Sequence, residues 1–125
     1  MLSLEKLTIS TIARAILLQD SEIVSLVGTK IFPGVAPTDT ACPFIVYERD
    51  AYSVEDTKFG IHREEARVVF EVISDTDDYD TGLQIAVAIH RVLQGTHGEF
   101  EFEIVDSAER YAEGKFRQLI DFKIT

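Results

Sequence analysis

Three sets of residues in this chain have side chains whose type and spacing could do chemistry. Residues 75–80 read Asp-Thr-Asp-Asp-Tyr-Asp, a density of carboxylates that could wrap a calcium ion. An EF-hand loop needs glycine at its sixth position and glutamate at its twelfth. Counting from Asp75, those positions hold Asp80 and Ala86, so the pattern fails. An acidic helix start explains the run better, because negative charge there faces the positive end of the helix dipole. Glu99, Glu101 and Glu103 alternate with Phe100 and Phe102, so on a strand all three share one face. They could pair as acid and base, but a solvated outer face is the simpler reading. His62, His90 and His97 show no zinc-type spacing, and His90 is expected on the inner side of a helix as a hydrogen-bonded core or interface residue.

The remaining nucleophiles give no better lead. Cys42 is the only cysteine, cannot close an internal disulfide, and reads as a small half-buried filler beside Pro43. No serine or cysteine sits in a nucleophile elbow, and no glycine-rich phosphate loop is present. The sequence therefore predicts no catalytic residue, no bound cofactor and no metal. The chain reads as a non-enzyme.

The elements that would position such residues follow from periodicity. In SLEKLTISTIARAILLQD, Leu4, Leu7, Thr11, Ile12, Ala15 and Leu18 recur at helical spacing, widened by Ile9, Ile16 and Leu17, with Ser3 as N-cap. A second, short helix starts at Asp20 or Ser21, carries Ile23, Val24 and Val27, and stops at Gly28, a left-handed capping residue. A third runs from the acidic turn (Asp77, Asp78, Asp80) to Gly95. Its expected inner face is Leu83, Ala86, Val87, His90 and Leu93, extended by Ile85, Ile89 and Val92.

Four strands are expected. Residues 44–49 put Phe44, Val46 and Glu48 on one side, with Ile45, Tyr47 and Arg49 on the other. Val68, Phe70 and Val72 alternate in the next, Phe100, Phe102 and Ile104 in the third, and Phe116, Gln118, Ile120, Phe122 and Ile124 in the fourth. The last two, paired as a hairpin, would set acids against bases. Lys30-Ile31-Phe32 is long enough only for a bridge. Residues 50–65 are polar with isolated aromatics and read as a long hairpin arm, a length that is usually functional or disordered. The fold predicted is α+β: a four-stranded, mainly antiparallel sheet with two main helices packed on one face.

At 125 residues with 46% hydrophobic content, residues 1–125 are expected to form a single domain with one core. No apolar run reaches the ~18 residues of a membrane helix, and Glu5 beside Lys6 argues against a signal peptide. Charge is unevenly spread. Of 12 Lys+Arg and 22 Asp+Glu, residues 1–47 hold three and four, leaving nine bases and eighteen acids beyond. A net charge of −10 repels phosphate backbones, and no basic stripe offsets it. Neither nucleic acid nor membrane is an expected partner.

Residues 26–50 hold all three prolines, two of the seven glycines and the cysteine. Pro33-Gly34 is a turn pair, and Pro37 and Pro43 each bar helix from the residue before them, so the segment between them should run extended over the surface. The order Leu26-Val27-Gly28, Ile31-Phe32-Pro33, Ala36-Pro37 and Pro43-Phe44-Ile45-Val46-Tyr47 resembles the small tail-completion proteins of long-tailed bacteriophages and prophages. The Val/Phe-rich strand at 67–73, Asp77-x-Tyr79 and Leu93-x-Gly95 continue the likeness, which spans about residues 15 to 95. The carboxy-terminal hairpin, with its alternating Glu and Phe, has no matching motif.

The resemblance implies a structural role resembling tail terminators. These form a ring, generally of six subunits, on the finished tail tube and face the head connector on the other side. Expected partners are copies of the chain, the tail-tube protein and the head-completion protein. The expected location is the virion tail, with the bacterial host cytoplasm during assembly. The candidate interface is the braced segment (Pro33, Pro37, Pro43), whose prolines reduce the entropy lost on docking, and the hairpin arm (Tyr52, Lys58, Phe59, His62, Arg63). Two other readings stay open: a small α+β protein- or ligand-binding domain unrelated to phage assembly, and an enzyme using the carboxylates of residues 75–80 or Glu101.

Overall fold

The computed structural model describes residues 8–56, 60 and 62–125. Helix α1 (Ile9–Leu18) leads into α2 (Ser21–Val27) and the short strand β1 (Ile31–Pro33). Strands β2 (Phe44–Asp56) and β3 (His62–Asp75) precede α3 (Tyr79–Leu93), followed by β4 (Gly95–His97), β5 (Phe100–Ala112) and β6 (Lys115–Ile124). The α+β class is as expected, but the sheet has six strands in the order β1-β2-β3-β6-β5-β4, not four. The two additions, β1 and β4, have three residues each, too few for alternation to register in sequence. β1 pairs parallel with β2 and every other pairing is antiparallel.

Two of the long strands also outrun their alternation. β2 and β3 stay paired from Phe44↔Ile73 to Asp56↔His62, so most of the expected arm is a two-stranded ladder with an irregularity between Arg49 and Ala51. The tip, with Lys58 and Phe59, lies outside the described residues, as does the expected cap Ser3.

The helices cover one face of the sheet. Its core is an aromatic row: Tyr47 against Phe70 (6.2 Å between ring centroids), Phe70 against Phe122 (6.1 Å), and Phe122 against Phe102 (6.4 Å). Ile9, Ala13 and Leu17 of α1 and Ile85, Ala88, Ile89 and Leu93 of α3 close over it. Both helix faces are therefore rotated from those expected. Thr11 and Ala15 are exposed, as are Val87 (66%) and His90. Apolar residues circle most of each helix, so spacing alone could not choose between adjacent stripes; packing of α1 on β2 and the other helices, and of α3 on β3 and β6, did.

Local signals at α2 held as expected. Asp20 is its N-cap, accepting from the Ile23 N–H at 3.1 Å, and Gly28 ends it at φ 64°. Asp20 also accepts from Arg91 of α3 at 3.0 Å, locking α2 onto α3. Burial opposes ionisation of Asp20, but the Ile23 N–H and the Arg91 guanidinium outweigh it and hold its carboxyl below the usual range. Among the described residues no helix is long and apolar enough to cross a membrane.

Candidate functional site

With helices on one face, the opposite face of the sheet is left to the alternate residues of each strand. Phe44 and Val46 of β2, Arg67, Val69, Glu71, Ile73 and Asp75 of β3, and Lys115, Arg117, Leu119, Asp121 and Lys123 of β6 point there. Phe44 is half-buried on this open face, packed edge-on against Phe32 at 6.5 Å, and not in the core. Ion pairs cross the strands: Asp75 with Lys115, Glu71 with Arg117 (2.8 Å), Asp121 with Arg67 (3.6 Å) and Glu103 with Lys123 (3.5 Å). Acids of β5 were expected to meet bases of β6, and Glu103–Lys123 does so. Glu101 instead faces Thr125 through two backbone hydrogen bonds, and its carboxylate accepts from Thr96 Oγ1 at 2.6 Å.

The proline segment walls one end of this face. Gly34 (φ 73°) donates its N–H to the Tyr47 carbonyl at 2.8 Å, turning the chain away from β1. Thr40 donates both its N–H (3.2 Å) and its hydroxyl (2.6 Å) to the Pro37 carbonyl, closing a turn in which Asp39 takes φ 66°. Lys30 Nζ, at 2.8 Å from the Ala41 carbonyl, ties the returning end down. The Cys42–Pro43 peptide bond is cis. The segment is thus a pinned loop with a turn, not the continuously extended ribbon that three prolines suggested. Proline restricts its neighbours, but hydrogen bonds to Tyr47 and within 37–40 set the path. A groove of about 300 Å³ opens between this loop and Phe44, Val46, Glu71, Lys115 and Arg117.

Of the candidate interface residues, Pro33 and Pro37 are exposed and Pro43 is half-buried. Tyr52 lies opposite Ala66 in the β2–β3 ladder, His62 opposite Asp56 and Arg63 opposite Glu55. The structure thus sets two groups apart, the loop beside the open face and the hairpin arm. The open-face residues themselves were missed, although the alternation of Arg67, Val69 and Glu71 with the core positions of β3 carried the signal.

The residues weighed for chemistry have local roles. Asp78 is the N-cap of α3 and accepts from Thr81 Oγ1 at 2.6 Å, while Asp75 pairs with Lys115. His97 Nε2 lies 2.9 Å from the Leu93 carbonyl, its ring edge-on to Phe102. Burial and then the Asp75 carboxylate push the Cys42 thiol up, only partly offset by Lys115 and Lys30, which keeps it a thiol at neutral pH. Among the described residues no three His, Cys, Asp or Glu side chains converge as a metal site would need.

One charge on the open face is under tension. Burial, then Asp50 and Asp106, raise the Asp121 carboxyl above 3.8 despite the opposing pull of Arg67, and its Oδ1 is buried without a hydrogen-bond partner. Because the folded pKa is the higher one, this group's contribution to stability is full below 3.8 and is lost as pH rises through the folded pKa. Asp121→Asn should therefore be more stable than the parent at pH 7, by less than about 1 kcal/mol, and lose that advantage near pH 3. Urea titrations at the two pH values check this; an Asn variant weaker at pH 7 than at pH 3, relative to the parent, would refute it.

A family model described as "Tail completion protein gp17" matches residues 13–125, and so includes the carboxy-terminal hairpin that showed no motif. No curated protein matches significantly. Fifteen chains of solved structures do. One, from the "Virion of native gene transfer agent (GTA) particle", superposes with a TM-score of 0.72 at 22% identity, covering 90% of this chain and 89% of its own. At that identity the likeness establishes a shared fold.

Proposed function

Since the chain belongs to the tail completion protein gp17 family and is a structural protein of phage tail completion, we propose that it works by capping the tail tube as a ring of identical copies and helping to join tail to head. The family match over residues 13–125 carries this reading, and with it the treatment of residues 1–125 as one tail-completion domain. It favours assembly over a binding domain unrelated to phages, and over an enzyme.

The surface is suited to such a role. A closed ring needs two different, complementary patches on each subunit. An open sheet face carrying ion pairs of both signs, flanked by a pinned loop, offers contact area without ordering a mobile chain. In this proposal the loop with Pro33, Pro37 and Pro43 supports subunit contacts. The arm with Tyr52, Lys58, Phe59, His62 and Arg63 faces the tube or the connector. Six copies, the tail-tube protein and the head-completion protein are the partners, in the virion tail and, during assembly, in the host cytoplasm.

Adding the purified chain to tails from a phage lacking its gene tests the reading. Negative-stain images should show a ring at one end of each tube and restored joining to heads. Stable, head-competent tails without the protein would refute the proposal.

A further inference from the structure

The two ends of the sheet are stepped in opposite senses. Among the described residues, at one end β1 covers only Ile45, Val46 and Tyr47 of β2, leaving residues 48–56 with a partner strand on one side alone. At the other, β4 covers Phe100, Glu101 and Phe102 of β5, leaving residues 103–112 paired among the described residues with β6 alone. The ladders show that these steps are complementary. Tyr47 lies opposite Phe70, Phe70 opposite Ile120, and Ile120 opposite Ser107, so β1 stands level with the bare part of β5. Tyr52 lies opposite Ala66, Ala66 opposite Ile124, and Ile124 opposite Phe102, so β4 stands level with the bare part of β2. Where one edge projects, the other is recessed.

Backbone groups at the bare edge of β5 point outward. Ile104 donates its N–H to Gln94 Oε1 at 3.0 Å and Ser107 donates to Asp106 Oδ1 at 2.9 Å, both away from β6. Alternation along the strand turns the N–H groups of Glu109 and Tyr111 the same way. Residues 105–112 are all exposed. A long bare edge of this kind is a template for another strand and is normally blunted or covered.

We propose that copies of this chain join through these stepped edges, with β4–β5 of one seating edge to edge against β1–β2 of the next. Strand directions agree. β2 and β5 run oppositely within the sheet, since β2, β3, β6 and β5 alternate. Rotation about an axis along the strands preserves each direction, so β5 meets the next copy's β1 antiparallel, and β4, which runs opposite to β5, meets the bare part of the next copy's β2 parallel. A foreign peptide strand would fill one step and leave the other open, whereas a second copy fills both. The two edges differ, so the contact is heterologous and closes into a ring if the rotation per copy allows. This inference rests on the ring reading above and specifies its joint.

Amide hydrogen exchange, read on the soluble chain and on rings capping tail tubes, tests it. Exchange across residues 107–111 and 49–53 should slow by on the order of tenfold or more on assembly. Rings whose edge amides exchange as fast as in the soluble chain would overturn the edge joint and leave the ring standing. Tubes that acquire no ring would overturn both. Ser107→Pro removes an outward N–H without touching the β5–β6 ladder, because proline is tolerated at such edge positions. It should melt like the parent and lose most of its ring formation; wild-type ring yield would refute the joint. If that variant fails to fold, the exchange measurement on the unaltered chain still decides.

Discussion

Replacing Phe122 by alanine should lower folding stability by roughly 3–5 kcal/mol, the range for large aromatic truncations in a core, while Phe44→Ala should lose only about 1 kcal/mol. Phe122 is wholly buried and stands between Phe70 and Phe102, so its loss empties the middle of the aromatic row on the helix-covered face. Neighbouring β-strand backbones cannot collapse into such a gap, because the β3–β6 and β5–β6 ladders hold their spacing. Phe44 lies one strand beyond β3 on the opposite face, half in solvent, touching Phe32. Urea denaturation of both variants gives the comparison, with unchanged slope showing that the folded and unfolded states keep their extents. Equal losses would mean that the two residues share a face and that the sheet's open side has been misassigned. The Phe44 variant should be the more informative for assembly, because its side chain lines the groove beside the proline loop.

Gly82→Ala should destabilise the protein by about 1–2 kcal/mol, even though alanine is the better helix former by ~1 kcal/mol. Gly82 is a buried residue in the first turns of α3, and its backbone is helical, so conformational freedom is not the reason for glycine here. A Cβ at this position would stand 2.6 Å from Ser74 Oγ and 3.2 Å from Ser74 Cβ. Ser74 belongs to β3, is 1% exposed, and its hydroxyl has no hydrogen-bond partner. The helix thus rests on the strand at a distance that only a hydrogen atom allows. Ser74→Ala alone should be neutral or slightly stabilising, since it removes a buried, unsatisfied hydroxyl. Combined with Gly82→Ala it should recover about 1 kcal/mol of the loss, a coupling that a double-mutant cycle isolates. Additive effects would show that the clash is relieved elsewhere, by a shift of α3 along the sheet.

Both predictions depend on which side of an element faces inward, and there the sequence is weakest. In α3, Leu83, Val87 and His90 form as regular a stripe as Ile85, Ile89 and Leu93, yet Val87 and His90 are exposed. Two overlapping stripes on a helix are equivalent to spacing and differ only in what they meet. The strands show the same limit. Alternation separated Phe44, Val46 and Glu48 from Ile45 and Tyr47, but which set is interior follows from α1 and α3 lying over the second set.

What the sequence determined by itself was everything set by neighbours within a few residues. Asp20 and Gly28 bound α2 because a carboxylate can reach the N–H three residues on and glycine accepts positive φ. Four long strands and an acidic start to α3 followed from alternation and charge, and the ordered motifs of residues 26–47 pointed to the tail-completion family. Tertiary structure alone decided the three-residue strand β4, the parallel pairing that makes a full strand of the bridge expected at residues 30–32, the folded path of the proline loop, the close seat of Gly82 on Ser74, and the bare, stepped edges of the sheet. Each of these is fixed by a contact with a residue far along the chain. A strand of three residues has no periodicity to display and exists only because a longer strand stands beside it.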